Sequence, residues 1–240
     1  KTILERQIEV LNACGVKDIA VVRGYKKEAL KISNVRYYDN DEFATSSEVY
    51  SLFRAGKELG GPFLFLYGDI LFERGHLEKI LKSPADVSIL VDRAWGESYA
   101  QIKSTADQKA PWETRGVPDL VLLKDAQESG YRFVGADTPH GVARVGRSID
   151  PRQAHGEFVG IGMFSQKGAR TLTDVYSQLR ETKGDGKFQE ADSLRAASFT
   201  DLLQELVDRG HEVQAVDVYK GWLEIDTFED YRRAWALLQE

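Results

Sequence analysis

Cysteine is almost absent from this chain of 240 residues: Cys14 is the single one, so neither an internal disulfide nor a cysteine-based metal site can form within it. Its position in an amphipathic run reads as core filler. Long hydrophobic runs are absent too. Nothing approaches the roughly 20 consecutive apolar residues that cross a bilayer, and no basic, apolar, small-residue succession marks an export signal. The expectation is a soluble, cytoplasmic protein with no membrane partner. Basic charge is also short: 32 Lys and Arg stand against 38 Asp and Glu, for a net charge of -6. That balance argues against a nucleic-acid partner, because binding a phosphate backbone calls for a basic face. Histidine is scarce, and His76, His140, His155 and His211 show neither metal-ligand spacing nor a nucleophile partner pattern.

What is present is a 42% hydrophobic content, enough for a full core, distributed as alternating helical and strand patterns. Thr2 and Glu5 have capping-box spacing ahead of a helical stripe that stops at Gly15. Asp18 to Val22 reads as a strand, Lys26 to Leu30 as a short helix, Val35 to Tyr38 as a second strand and Glu48 to Leu59 as a helix. Pro62 to Tyr67 is an apolar run of strand length, followed by helix Gly75 to Leu81 and strand Asp86 to Val91. Arg93 to Pro118 has no sustained periodicity and reads as a lid or a disordered segment. Short extended pieces follow at Leu120 to Leu123, Tyr131 to Val134 and Val142 to Val145, with a glycine-broken strand over Gly156 to Phe164. Helices Gly168 to Arg180 and Ser198 to Arg209, strands Val213 to Val218 and Trp222 to Ile225, and helix Phe228 to Leu238 complete the order.

This alternation predicts an α/β fold, a doubly wound, mostly parallel, Rossmann-like sheet with a small antiparallel inserted lobe. The whole of 1–240 reads as a single domain, with a lid or acceptor-binding insertion at about 93–156. In such sheets ligands collect beyond the carboxyl ends of strands. Asp69, in Tyr67-Gly68-Asp69-Ile70, and Asp226, in Glu224-Ile225-Asp226-Thr227, each follow an apolar strand. Two converging aspartates beside substrate phosphates suit Mg2+, and Gly68 leaves room for a nucleotide against the backbone. Either aspartate alone also fits a turn or a helix cap. Gly160-Ile161-Gly162 lies within a strand pattern, which speaks against a dinucleotide turn and for close approach of a ligand or another strand.

Taken in order, Leu4-Glu5-Arg6-Gln7-Ile8-Glu9, Ala20-Val21-Val22-Arg23-Gly24-Tyr25, Tyr67-Gly68-Asp69-Ile70-Leu71-Phe72 and Trp222-Leu223-Glu224-Ile225-Asp226-Thr227-Phe228-Glu229-Asp230 resemble the landmarks of the sugar nucleotidyltransferase superfamily. Ser83-Pro84-Ala85-Asp86, Val91-Asp92-Arg93-Ala94-Trp95, Gly156-Glu157-Phe158-Val159-Gly160 and Phe199 to Leu206 look most like cytidylyltransferase domains found with phosphoenolpyruvate mutase in phosphonate biosynthesis; bacterial phosphocholine cytidylyltransferases come next. The resemblance implies Mg2+ held by the catalytic Asp69 and Asp226, CTP or another NTP as donor, and pyrophosphate as leaving group. The implied acceptor is a small phosphonate of the 2-hydroxyethylphosphonate or 2-aminoethylphosphonate type, and a phosphoenolpyruvate mutase is the implied partner or fusion.

In the same reading Gly24, Tyr25, Ser46, Ser47 and Gly68 face the nucleotide, although Ser46 or Ser47 fits a helix N-cap equally. Arg147 stands where the family has a lysine facing the acceptor phosphate, and an exposed surface arginine is the competing reading. Asp92, Arg93, Trp95 and Glu157 are expected around the acceptor, with Trp95 equally suited to filling a core gap.

One part of the family pattern is absent from the sequence: the glycine-rich phosphate-binding loop, with its arginine and following lysine, that precedes the first helix. The chain starts at Lys1, already at that helix. An incomplete N-terminus and a degenerate relative unable to use NTP are the two explanations; loss of a central strand would leave costly unpaired backbone, which favours the first. Phosphocholine or sugar-1-phosphate nucleotidyl transfer is the alternative activity, and a non-catalytic regulatory subunit the alternative of another class.

Overall fold

The computed structural model describes residues 1–97, 117–124, 140–183 and 186–237. The expected strand at Tyr131 to Val134 and most of the expected lid, Trp112 included, lie outside these residues. Among the described residues no helix is long and apolar enough to cross a membrane.

Helix α1 (Ile3–Ala13) starts on the capping box expected from the sequence, Thr2 accepting from the Glu5 amide while the Glu5 carboxylate takes the Thr2 amide. Strands β1 (Ala20–Arg23) and β2 (Arg36–Asp39) pair in parallel as a small sheet of their own. The expected helix Glu48 to Leu59 is shorter: α2 (Glu48–Arg54) gives way to a 3-10 turn over Gly56–Gly60, where Gly56 withdraws support for further α-helix. Lys27–Ala29 is likewise a single 3-10 turn.

The main sheet has six strands: β3 (Phe63–Leu66), β8 (Gly156–Phe164), β5 (Val87–Asp92), β9 (Gln214–Val218), β7 (His140–Gly146) and β6 (Leu120–Leu123), in that spatial order, with β6 also bonding β8. Only β5–β9 is parallel within it. The expected mostly parallel sheet is therefore corrected to a mixed one. The physical reason is β8, which enters from the inserted region instead of from a helical crossover and so runs antiparallel to both β3 and β5. Strand β4 (Ile70–Phe72) leaves this sheet and pairs antiparallel with β10 (Trp222–Glu224).

Helices cover both faces, as a doubly wound arrangement requires. Val87, Ile89 and Val91 of β5 pack on one side with residues of α4 (Gln166–Thr182) and α5 (Phe199–Asp208), while Leu90 packs on the other with residues of α1 and α3 (Arg74–Ile80). That is the period-two alternation of a strand buried on both faces. Burial of each such side chain contributes about 2 kcal/mol. Helix α6 (Phe228–Leu237) closes the described chain.

Candidate functional site

The antiparallel ladder of β4 and β10 brings two distant acids together. Glu224 lies opposite Ile70 in its register, and the Ile225 amide donates to the Asp69 carbonyl at 2.9 Å. Asp69, just before β4, and Asp226, just after β10, are thus delivered to the same end of one ribbon. Strand alternation places Glu224 on the same face as Asp226, two residues on. One carboxylate oxygen from each of Asp69, Glu224 and Asp226 falls within 4.8 Å of the others. Glu224 was missed by sequence reasoning, and its two-residue spacing from Asp226 in a strand was the available signal.

The turn carrying Asp69 is held from behind. Buried Gln7 of α1 donates both amide hydrogens, to the Tyr67 and Ile70 carbonyls, at 2.8 Å each. Gly68 has open space where a side chain would stand.

Among the described residues none of the three acids takes part in an ion pair. Burial, followed by the charges of Asp226 and Asp69, pushes the Glu224 carboxyl up to about 7. Burial and then the Asp226 charge raise Asp69 as well. Crowded carboxylates without a counter-charge hold protons that they release to a cation. Three oxygen donors on a partly exposed rim fit a hard divalent cation such as Mg2+, which keeps some of its waters for substrate phosphates.

Beside this cluster sits a charge pair of opposite character. Asp119, directly before β6, is buried, and its Oδ1 accepts from Arg147 Nε at 3.0 Å and from Thr200 Oγ1 at 3.3 Å, while Oδ2 accepts from Tyr67 Oη at 3.2 Å. Arg147 is half-exposed, and its charge opposes the rise of the Glu224 carboxyl. Glu190 fixes the turn around it, accepting from the Arg147 and Ser148 amides. Gly160 makes room for Tyr67: its φ of +81° suits glycine, and a Cβ there would meet the tyrosine ring at 2.5 Å. The strand glycine therefore serves a protein side chain.

The other residues singled out from the sequence are distributed as follows. The Asp92 carboxylate, expected beside the acceptor, is turned into the body: it accepts from the Ala94 amide at 2.8 Å, the Lys220 amide at 3.1 Å and Trp222 Nε1 at 2.9 Å. Trp95 is buried against Leu120 and Ile149, the core-filling alternative. Glu157 is buried in β8. Arg93 pairs with Asp217 at 3.0 Å. For Asp92 the reason is that the end of β5 is covered by the β9–β10 connection, which brings the Lys220 amide and Trp222 onto it.

On the other side, Gly24 is needed by Phe43, whose Cβ would lie 2.6 Å from an added methyl, and Tyr25 stands exposed in a T-shaped contact with that ring. Ser46 bridges Asn40 Nδ2 at 3.0 Å and the Glu42 carbonyl at 2.8 Å. Ser47 occupies the N-cap position of α2 but gives its hydroxyl to Glu48 instead of accepting from an amide.

No family model matches the chain. The CTP:phosphoglutamine cytidylyltransferase of Campylobacter jejuni subsp. jejuni serotype O:2 is 24% identical over 243 residues, an alignment spanning 96% of this chain and 85% of that protein. Among solved structures, the inositol-1-phosphate CTP transferase from T. maritima superposes with a TM-score of 0.66 at 16% identity, over 99% of this chain and 82% of that one. The fold is that of the nucleotidyltransferases. The CTP:phosphocholine cytidylyltransferase of Streptococcus pneumoniae matches with a TM-score of 0.62 at 15% identity, over 99% of this chain and 86% of its own. By their names, all three of these nucleotidyltransferases pair CTP with a small phosphorylated molecule.

Proposed function

We propose that this protein is a cytidylyltransferase that moves CMP from CTP onto a small phosphate monoester or phosphonate with release of pyrophosphate. The observation that carries the reading is the meeting of Asp69, Glu224 and Asp226 at one end of the β4–β10 ribbon, with the Arg147 guanidinium near enough for its charge to act on Glu224. Similarity to three CTP-dependent transferases supports the choice of donor.

An acceptor oxygen that is already anionic attacks the α-phosphorus in line, so no strong general base is required. Arg147 offers the planar N–H fork that grips a phosphate or phosphonate, and Asp69, Glu224 and Asp226 would hold Mg2+. Mg2+, when bound, supplies screening of phosphate charge. The Gln7 bridge keeps the Asp69 turn fixed, so that positioning is built before substrate arrives. Two of the three similar proteins are named for phosphate esters, inositol-1-phosphate and phosphocholine, and none for a phosphonate, which ranks a phosphate monoester ahead of 2-hydroxyethylphosphonate or 2-aminoethylphosphonate. A phosphoenolpyruvate mutase partner would follow only from a phosphonate acceptor.

The test is pyrophosphate release by the full chain with each of the four NTPs and a panel of phosphocholine, inositol-1-phosphate, glucose-1-phosphate and both phosphonates. CTP should be preferred, and equal turnover with UTP would remove the donor assignment. Asp69→Asn should lower turnover about a thousandfold or more without lowering the unfolding temperature. Full activity in that variant would sink the acid cluster as the catalytic centre, and silence of the unmutated protein with every pair would favour a regulatory subunit.

A further inference from the structure

Asp119 is one of ten buried polar or charged residues among the described residues, and it lies outside the cluster that would hold a metal. Its two oxygens take three donors from three separate elements: Tyr67 after β3, Arg147 after β7 and Thr200 in α5. Its own carbonyl accepts from the Phe158 amide of β8 at 2.7 Å, so its backbone is anchored as well. A carboxylate so held does not move with its partner. Arg147 is the opposite, a long side chain with about half of its surface exposed.

Left free, such a guanidinium has an obvious destination. Asp119, which holds Arg147, is hydrogen-bonded to Tyr67, two residues before Asp69, and so places the guanidinium on the side of three carboxylates that have no ion pair among the described residues. Collapse onto them would fill the cation position and remove the fork from the acceptor at once. Capture at Nε by Asp119 prevents this and leaves both terminal nitrogens without a partner among the described residues. Holding the arginine in one rotamer also spends beforehand the side-chain entropy that anion binding would otherwise require, roughly 2 kcal/mol for an arginine.

We propose that Asp119 is a positioning residue that pins the Arg147 guanidinium at Nε, both to present its free fork to the acceptor's phosphate and to keep it off the acidic cluster. The proposal rests on the reading of Arg147 as the acceptor's anchor.

Two probes test it without turnover: inorganic phosphate, titrated by 31P NMR, and Mn2+ alone, titrated by electron paramagnetic resonance. Asp119→Ala should weaken phosphate about tenfold, the loss of one charge-assisted contact, and should weaken Mn2+ severalfold because Arg147 now competes for the acids. Adding Arg147→Ala to Asp119→Ala should restore Mn2+ affinity while leaving phosphate weak. A merely structural role for Asp119 would not give that restoration. Should Asp119→Ala not fold, Asp119→Asn is read in the same directions with smaller effects, since it removes the charge while its carbonyl can still accept from Arg147 Nε and Thr200. Phosphate affinity unchanged in the Asp119 variant, or an Mn2+ defect that persists after Arg147 is removed, overturns the proposal. If Arg147→Ala alone leaves phosphate affinity unchanged, it is the acceptor reading of Arg147 that fails.

Discussion

Two acidic sites at strand ends look alike in the sequence and differ completely in the fold. Asp92, at the end of β5, is buried and meets three donors, two backbone amides and the Trp222 indole. Asp69, Glu224 and Asp226, at the end of the β4–β10 ribbon, meet mainly one another. The first arrangement is complete without a ligand and locks the connection that leads into β10. The second is incomplete, and the proton that burial forces onto Glu224 measures how incomplete it is. A strand-end carboxylate is therefore informative through its partners more than through its place.

The contrast breaks most visibly under deletion. Asp92→Ala orphans three donors in the interior and should lower stability by about 3 kcal/mol or more in urea unfolding, with Asp69→Ala leaving stability unchanged or raised. Equal losses in the two variants would erase the distinction.

Next in size is a pH effect. Because the folded Glu224 carboxyl titrates near 7, above its unfolded value, its share of stability is fully present below about pH 4.5 and is lost as pH rises through 7. In metal-free buffer Glu224→Gln should abolish that part of the decline, worth roughly 3 kcal/mol at most. An unchanged pH profile in the variant would show that Glu224 is not the group under pressure.

Smallest is the response to cation. Mg2+ at a hundredfold over its dissociation constant should stabilise the unmutated protein by about 2.7 kcal/mol. It should do nothing for Asp69→Asn, read as the shift in unfolding temperature, whereas Asp92→Asn should keep the response.

The sequence made part of this legible. Asp69 and Asp226 were visible because an apolar run ending in an acid marks the mouth of an α/β sheet, and the capping box at Thr2 and Glu5 formed as expected. The direction of β8 was not visible: a buried strand reads as the same apolar run whichever way it points, and its glycines kept open whether a ligand or another strand approached. Gln7 was visible as a member of the first helix's stripe, but its role was not, because the carbonyls it grips belong to a turn some sixty residues on that only the fold brings beneath it. Asp119 had no signal at all. It follows a stretch without periodicity, and only the fold brings Tyr67, Arg147 and Thr200 around it.

The double grip of Gln7 on the Tyr67 and Ile70 carbonyls gives the opening helix an unexpected office. Between those two carbonyls hang Gly68 and Asp69, so the face of α1 that seats Leu11 in the core also sets the position of the acid turn. Loss of the Gln7 amide alone would release that turn while Leu11 still moors the helix.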